Sequence, residues 1–237
     1  MRECVFALRN CSRSGLGAAG RLGYGLVMTR LLAVFSALVA AVAAPAQPSN
    51  SWDAAYLSAN PSFRQDPNHF LVEVAAELEP GAALDVGMGQ GRNALHLARK
   101  GWRVTGFDVS PAGVEQARAA AKAEGLELTA VVEGSAEFDW GEERWDLIVV
   151  AYFPFLRQSL EPLLRSLRPG GSIVVEAYHA DAALDRPPGP SPGVTFDDNE
   201  LLELFSGLRV IEYQDRRGIA DWGLFKTRLV RLHARKD

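Results

Sequence analysis

From Trp52 onward, the apolar positions follow two rhythms that take turns along the chain. Residues 68–78 (NHFLVEVAAEL) repeat at helical spacing, and Pro80-Gly81 ends the segment. Residues 82–86 form a short apolar run, the signature of a buried strand. Residues 92–100 are helical again, with Ala94, Leu95, Leu97 and Ala98 on one face and Gly101 as the stop. Residues 102–109 read as a second strand. Ser110 then caps a helix with Pro111 in its first turn, running to Glu124 and closed by Gly125. A third strand is predicted over 126–133 and a fourth over 145–151 (WDLIVVA), whose unbroken apolar run suits the middle of a parallel sheet. A helix over 155–167, a turn at 168–171 and a fifth strand over 172–178 follow. Residues 185–195 (DRPPGPSPGVT) hold too much proline and glycine for regular structure. A short helix over 198–205 precedes two alternating runs, 208–214 and 224–234, read as a closing strand pair.

Strands alternating with helices at this spacing predict a doubly wound α/β sheet. Ligands of such sheets bind beyond the carboxyl ends of the strands, where strand order reverses. The loop after the first strand therefore carries the first functional expectation.

Composition separates the beginning of the chain from the rest. Of 237 residues, the first 46 hold both cysteines, five arginines and one acid, which leaves 20 basic against 28 acidic residues beyond them. The remainder has no cysteine, which excludes disulfides, zinc–thiolate sites and cysteine nucleophiles there. Its acidity argues against a nucleic-acid surface. Residues 31–44 (LLAVFSALVAAVAA) are too short to span a bilayer comfortably but suit the core of a secretory signal, with Ala44-Pro45-Ala46 as a cleavage site. The expected organisation is an extension over 1–46, with a signal-like segment at 28–46 and a start at Met28, then one domain over 47–237. The domain would be exported or periplasmic if that segment works, and cytoplasmic otherwise. No membrane partner is expected beyond this signal or anchor.

The stretch LDVGMGQGRN places glycines at 87, 89 and 91, two residues after Asp85. A dinucleotide loop needs its third glycine one residue later, and a carboxylate at this place repels a pyrophosphate. No Gly-Lys-Ser/Thr follows, so a nucleoside-triphosphate loop is excluded. The acid suits a cationic ligand. Seventeen residues after Gly91, the second strand ends at Asp108, placed to accept from ribose hydroxyls.

Together these residues resemble motif I and its successors in the class I S-adenosylmethionine-dependent methyltransferases. Glu133-Gly134-Ser135-Ala136, Trp145-Asp146-Leu147-Ile148-Val149 and Leu167-Arg168-Pro169-Gly170-Gly171-Ser172 extend the match, which covers about 84–178. The run Gly-Arg-Asn-x-x-x-x-Leu-Ala followed by Gly-Trp-x-Val-Thr is similar to the tellurite-resistance methyltransferase group, with Met88 where that group commonly has cysteine. The resemblance implies a Rossmann-like, mostly parallel seven-stranded sheet with an antiparallel edge strand. It implies S-adenosyl-L-methionine as cofactor, with Asp85 toward its ammonium, Asp108 toward its ribose and Ser135 toward its adenine. Gly87, Met88, Gly89, Gly91, Val109, Ala136 and Ala151 complete the expected cofactor set, and no metal is expected.

The implied activity is methyl transfer to a small-molecule acceptor by in-line displacement. The alternative is a non-catalytic or degenerate module that binds the same cofactor. The leaving sulfur departs neutral, so catalysis rests on alignment and water exclusion, and a base is needed only if the nucleophile must lose a proton. Candidate catalytic residues are Tyr152 and Tyr178 beside the methyl group and His179 as a base. Phe153 and Phe155 join the expected acceptor pocket, Arg216 and Arg217 are candidates for an anionic acceptor, and the 185–195 loop is a candidate lid.

Overall fold

The computed structural model describes residues 51–237, so the signal-like segment at 28–46 and the expected start at Met28 lie outside the described residues. The first half runs α1 (Ser51–Tyr56), α2 (His69–Ala76), β1 (Ala82–Val86), α3 (Arg92–Arg99), β2 (Arg103–Asp108), α4 (Pro111–Glu124) and β3 (Leu128–Val132). The second runs β4 (Trp145–Ala151), α5 (Leu160–Ser166), β5 (Leu167–His179), α6 (Ala182–Asp185), β6 (Thr195–Phe196), α7 (Glu200–Leu204), β7 (Arg209–Ile219) and β8 (Lys226–Arg235).

The strands form one sheet in the order β3-β2-β1-β4-β5-β8-β7, with β6 paired to the end of β5. Strands β1 to β5 are mutually parallel, and β8 runs antiparallel to both β5 and β7. The doubly wound, mostly parallel expectation is met, with two-residue β6 added as an eighth strand. It exists because Thr195 and Phe196 pair with Tyr178 and His179 beyond the end of β4.

Strand side chains alternate between the two faces. Leu84, Val86, Ile148, Val150, Ile173 and Val175 pack on one side with Leu163 of α5 and Phe205 just beyond α7. Ala83, Leu147, Val149 and Val174 pack on the other with Phe70 and Leu71 of α2 and Ala94 and Leu97 of α3. Asp85 shares the face of Ala83, so its carboxylate comes out beside α3. Tyr178 and His179, adjacent in sequence, leave opposite faces of β5.

The helix signals act as expected where they are local. Ser110 accepts from the Gly113 N–H at 3.1 Å, and Gly125 closes α4 in the left-handed conformation. Asn68 caps α2 through the Leu71 N–H at 3.0 Å. Two expectations are corrected. The helix predicted from 155 begins at Leu160, because Pro162 is tolerated in a first turn but breaks a helix interior. The predicted turn at 168–171 lies within β5, where Gly170 and Gly171 exchange backbone bonds with Lys236 at 2.7 and 2.9 Å.

Candidate active site

Strand order reverses between β1 and β4, and a cleft of about 470 Å³ opens beyond their carboxyl ends. Its inner end is built from the loop after β1. Gly87, Gly89 and Gly91 have φ of 64°, 56° and 80°, the left-handed region that side chains disfavour. A Cβ at Gly87 would lie 2.8 Å from the Phe153 ring, and one at Gly91 would lie 2.8 Å from the Ala117 side chain. The glycines thus serve both the turn and its close packing. Met88 packs over Gly106 of β2, where a side chain would displace its sulfur.

Asp85 and Asp108 both line this end. Asp85 is 2% exposed and accepts from the Ala94 N–H of α3 at 2.9 Å. Burial pushes its carboxyl up to about 7, against the pull of Arg92 and the Ala94 bond. Asp108 accepts from the Gly89 N–H at 2.9 Å and the Ser110 N–H at 2.8 Å, so it sets the glycine loop and the start of α4 together. Burial raises its pKa above the usual carboxylate range, and those two N–H donors oppose the rise.

The N-terminal segment covers this end. Asp53 of α1 accepts from the Ser110 hydroxyl and from the Ala112 N–H at 3.1 Å. Gln116 donates to the Tyr56 carbonyl at 2.9 Å. Tyr56 itself lies against Gly89 and Gly113. Phe63 stacks on Trp222 at 4.5 Å and 5°, and Tyr56 meets both rings edge-on. The backbones of Ser62 and Arg64 bond to Gly223 and Asp221 at 2.6 and 2.8 Å, tying this segment to the turn between β7 and β8.

Asp221 anchors that turn. Its carboxylate accepts from Asn68 at 2.8 Å and from Arg92 at 2.9 Å, and it pairs with Arg64 at 3.1 Å. Its N–H donates to the Tyr152 hydroxyl at 3.0 Å, which in turn donates to buried Glu176 at 2.6 Å. Arg231 closes the chain on Glu176 at 2.5 Å. Tyr152 holds φ of 57°, unusual for a non-glycine residue, at the point where β4 ends against the cleft.

The outer end is lined by Tyr178, Trp222 and Phe225, by Val194 and Phe155, and by Pro187, Pro188 and Pro190. The Tyr178 hydroxyl donates to the Trp222 carbonyl, and its ring stacks near Phe225 at 5.8 Å. Arg186 donates to the Gly223 carbonyl at 2.9 Å and lies over the Phe225 ring at 5.4 Å.

Of the residues singled out in the sequence, Asp85, Gly87, Met88, Asp108, Val109, Ala151, Tyr152, Phe153, Phe155 and Tyr178 line this one cleft. Gly89 and Gly91 shape it from behind. Ser135 and Ala136 line a separate depression with Phe138 and Trp140. His179 is not brought to the cleft. It is 4% exposed on the opposite face, its Nδ1 accepting from the Asp181 N–H at 3.0 Å and its Nε2 lying 3.2 Å from an Asp198 carboxylate oxygen. Beside it, Asp198 and Asp215 complete a group of three potential metal ligands. The cation there is Arg228, whose guanidinium bonds Asp215 twice at 2.6 Å, Asp198 at 2.6 Å and Asp181 at 3.0 Å. Arg216 and Arg217 lie within β7, and Arg217 pairs with Asp185 at 2.5 Å.

The residues present fit the expected cofactor. Three left-handed glycines give the loop the tight turn that aims its backbone at the cleft, and the two carboxylates that would meet an ammonium and a ribose face the same space. Residues 83–171 match the family model described as a methyltransferase domain. That segment is similar to methyltransferase domains. The chain is 29% identical over 157 residues to the probable S-adenosyl-L-methionine-dependent methyltransferase TehB of Haemophilus influenzae, covering 62% of this chain and 53% of that one. It thus spans about half the length of that curated relative. The crystal structure of TehB from H. influenzae superposes with a TM-score of 0.60 at 24% identity, covering 70% of this chain and 61% of that one. The N-methyltransferase NodS from Bradyrhizobium japonicum, solved with S-adenosylhomocysteine, superposes with a TM-score of 0.62 at 21% identity, over 78% of this chain and 96% of that one. These two likenesses speak for the fold.

Tyr56, Trp222 and Asp221 carry no local sequence signal for the site. The density of aromatic residues at 52, 56 and 63, ahead of the first strand, was the one available hint.

Proposed function

We propose that this protein transfers a methyl group from S-adenosylmethionine to a small-molecule acceptor by in-line displacement. The observation that carries the reading is the single cleft with two chemically different ends. Asp85, the glycine loop and Asp108 form one, and an apolar aromatic wall forms the other. When bound, the cofactor supplies an activated methyl group on a positively charged sulfur. Asp85 holds the ammonium, Asp108 holds the ribose hydroxyls, and the Gly87–Met88 backbone supports the part between them. Tyr152 and Tyr178 bound the junction of the two ends, while Phe63, Trp222 and the proline-rich loop exclude water from it. Alignment and dehydration are the protein's contribution.

Titration of the full chain with S-adenosylmethionine and S-adenosylhomocysteine by calorimetry tests the cofactor assignment, with NAD as control. Micromolar binding of the first two and none of NAD is expected. A folded protein that binds neither would refute it. The apolar run at 31–44 supports export of the domain, and natively made protein beginning at Gln47 is the expected N-terminal sequence; retention of Met1 would count against it.

A further inference from the structure

The chemistry of the outer end restricts the acceptor. Among the described residues, the titratable groups that line the cleft are Asp85, Asp108, Arg92, Arg186 and the tyrosines. Both carboxylates lie at the inner end, on hydrogen bonds from Ala94, Gly89 and Ser110. Arg92 is committed to Asp221 and to the Asp66 carbonyl, each at 2.9 Å. Tyr152 and Tyr178 already donate their hydroxyl protons, to Glu176 and to the Trp222 carbonyl. The imidazole expected to serve as a base, His179, leaves the opposite face of β5. The outer end therefore presents no carboxylate and no imidazole to remove a proton from a nucleophile.

Resting on the methyl-transfer reading, we infer that the acceptor is a compact apolar thiol that reacts as its thiolate. An alcohol or phenol needs a base at neutral pH, and a protonated alkylamine needs one too. A thiol ionises enough in water to need none. Carboxylates and other hard oxyanions lose more hydration than an aromatic wall returns, whereas sulfur makes favourable contacts with aromatic rings. Arg186, at the Phe225 edge of the mouth, adds positive charge, which favours an arriving anion. The thiol's proton passes to water before the encounter. The acceptor sulfur then forms the new S–CH3 bond with a lone pair, while the bond between the methyl carbon and the sulfonium breaks onto the departing sulfur, which leaves neutral as a thioether.

A series of para-substituted thiophenols, with the matching phenols, tests this on the full chain. The pH midpoint of kcat/KM should move with each thiol's own pKa, and the phenols should react at least about 100-fold more slowly. With S-adenosylhomocysteine bound, calorimetry should show the thiols binding, and Phe225→Ala should weaken them about 10-fold without changing S-adenosylhomocysteine affinity. With S-adenosylmethionine saturating, one midpoint common to every acceptor would reveal a protein base and overturn the inference, as would phenols reacting as fast as thiols. Equal thiol affinity in wild type and F225A would remove the aromatic wall from the acceptor site. Cofactor binding without thiol turnover would defeat this inference alone; absence of cofactor binding would defeat the methyl-transfer reading beneath it.

Discussion

The hydroxyl of Tyr56 stands where a side chain at Gly89 would have to go. A residue of α1, outside the parallel sheet, thus depends on a glycine in the loop after β1. The tyrosine is partly buried beside two carboxylates; burial first, then Asp108 and Asp85, hold its pKa above the ordinary phenol value.

Gly89→Ala should therefore weaken S-adenosylhomocysteine at least about 10-fold, because a Cβ collides with Tyr56 and φ of 56° costs a non-glycine residue about 1–2 kcal/mol. Adding Tyr56→Ala removes the collision and leaves the backbone strain, so the double variant should recover part of the affinity. Calorimetry on the four proteins decides it; strictly additive losses would disprove the contact.

Asp108→Ala strips the partner from two N–H groups, those of Gly89 and Ser110. Each buried orphan costs about 1–3 kcal/mol. The expected result is a lower melting temperature together with a loss of cofactor affinity. Affinity lost at an unchanged melting temperature would mean that the carboxylate touches only the ligand.

The raised pKa of Asp85 makes both stability and binding depend on pH. Its folded-state value, about 7, exceeds its ordinary value of 3.8, so the folded protein holds the proton more tightly than the unfolded chain. The stabilisation is complete below about pH 4 and is lost as pH rises through about 7, on the order of 4 kcal/mol across that window. Asp85→Asn should flatten this slope in the ligand-free protein while abolishing cofactor binding. An arriving ammonium favours the carboxylate, so binding near pH 6 should release a proton in the wild type. Calorimetry in two buffers of different ionisation heat measures that release; none would place the ammonium elsewhere.

Arg228 occupies the position that a metal would take among His179, Asp198 and Asp215. Hydrogen bonds to Asp215, then Asp181 and Asp198, raise its own pKa, and the bond from Arg228 lowers that of Asp198. A lowered carboxylate contributes stability above its unfolded pKa and loses it as pH falls through the folded one. Arg228→Gln should thus lower the melting temperature at pH 7, with the deficit narrowing below about pH 4. Zinc should raise the melting temperature of R228Q and leave the wild type unchanged. Stabilisation of the wild type by zinc would contradict this account.

Much of this molecule was legible because its signals are local. The Ser110 cap, Pro111 and Gly125 bracket α4 within a few residues, and β4 is read from its own apolar run. Asp85 and Asp108 were found because strand ends in a doubly wound sheet have a fixed use. Long-range pairing hid the rest. Six-residue α1 is too short to persist by its own propensity and is held by Asp53 on the start of α4. Asp221 and Trp222 reach the site only because β7 and β8 fold back, and His179 leaves it through the alternation of β5. The early start of β5 depended on Lys236, near the chain end.

Asp221 also joins the two ends of the cleft. Its carboxylate holds Arg92, the first residue after the glycine loop, while its N–H meets Tyr152 and its neighbour Trp222 walls the acceptor side. Coupling between cofactor and acceptor that runs through this residue is reciprocal, equal in size in both directions.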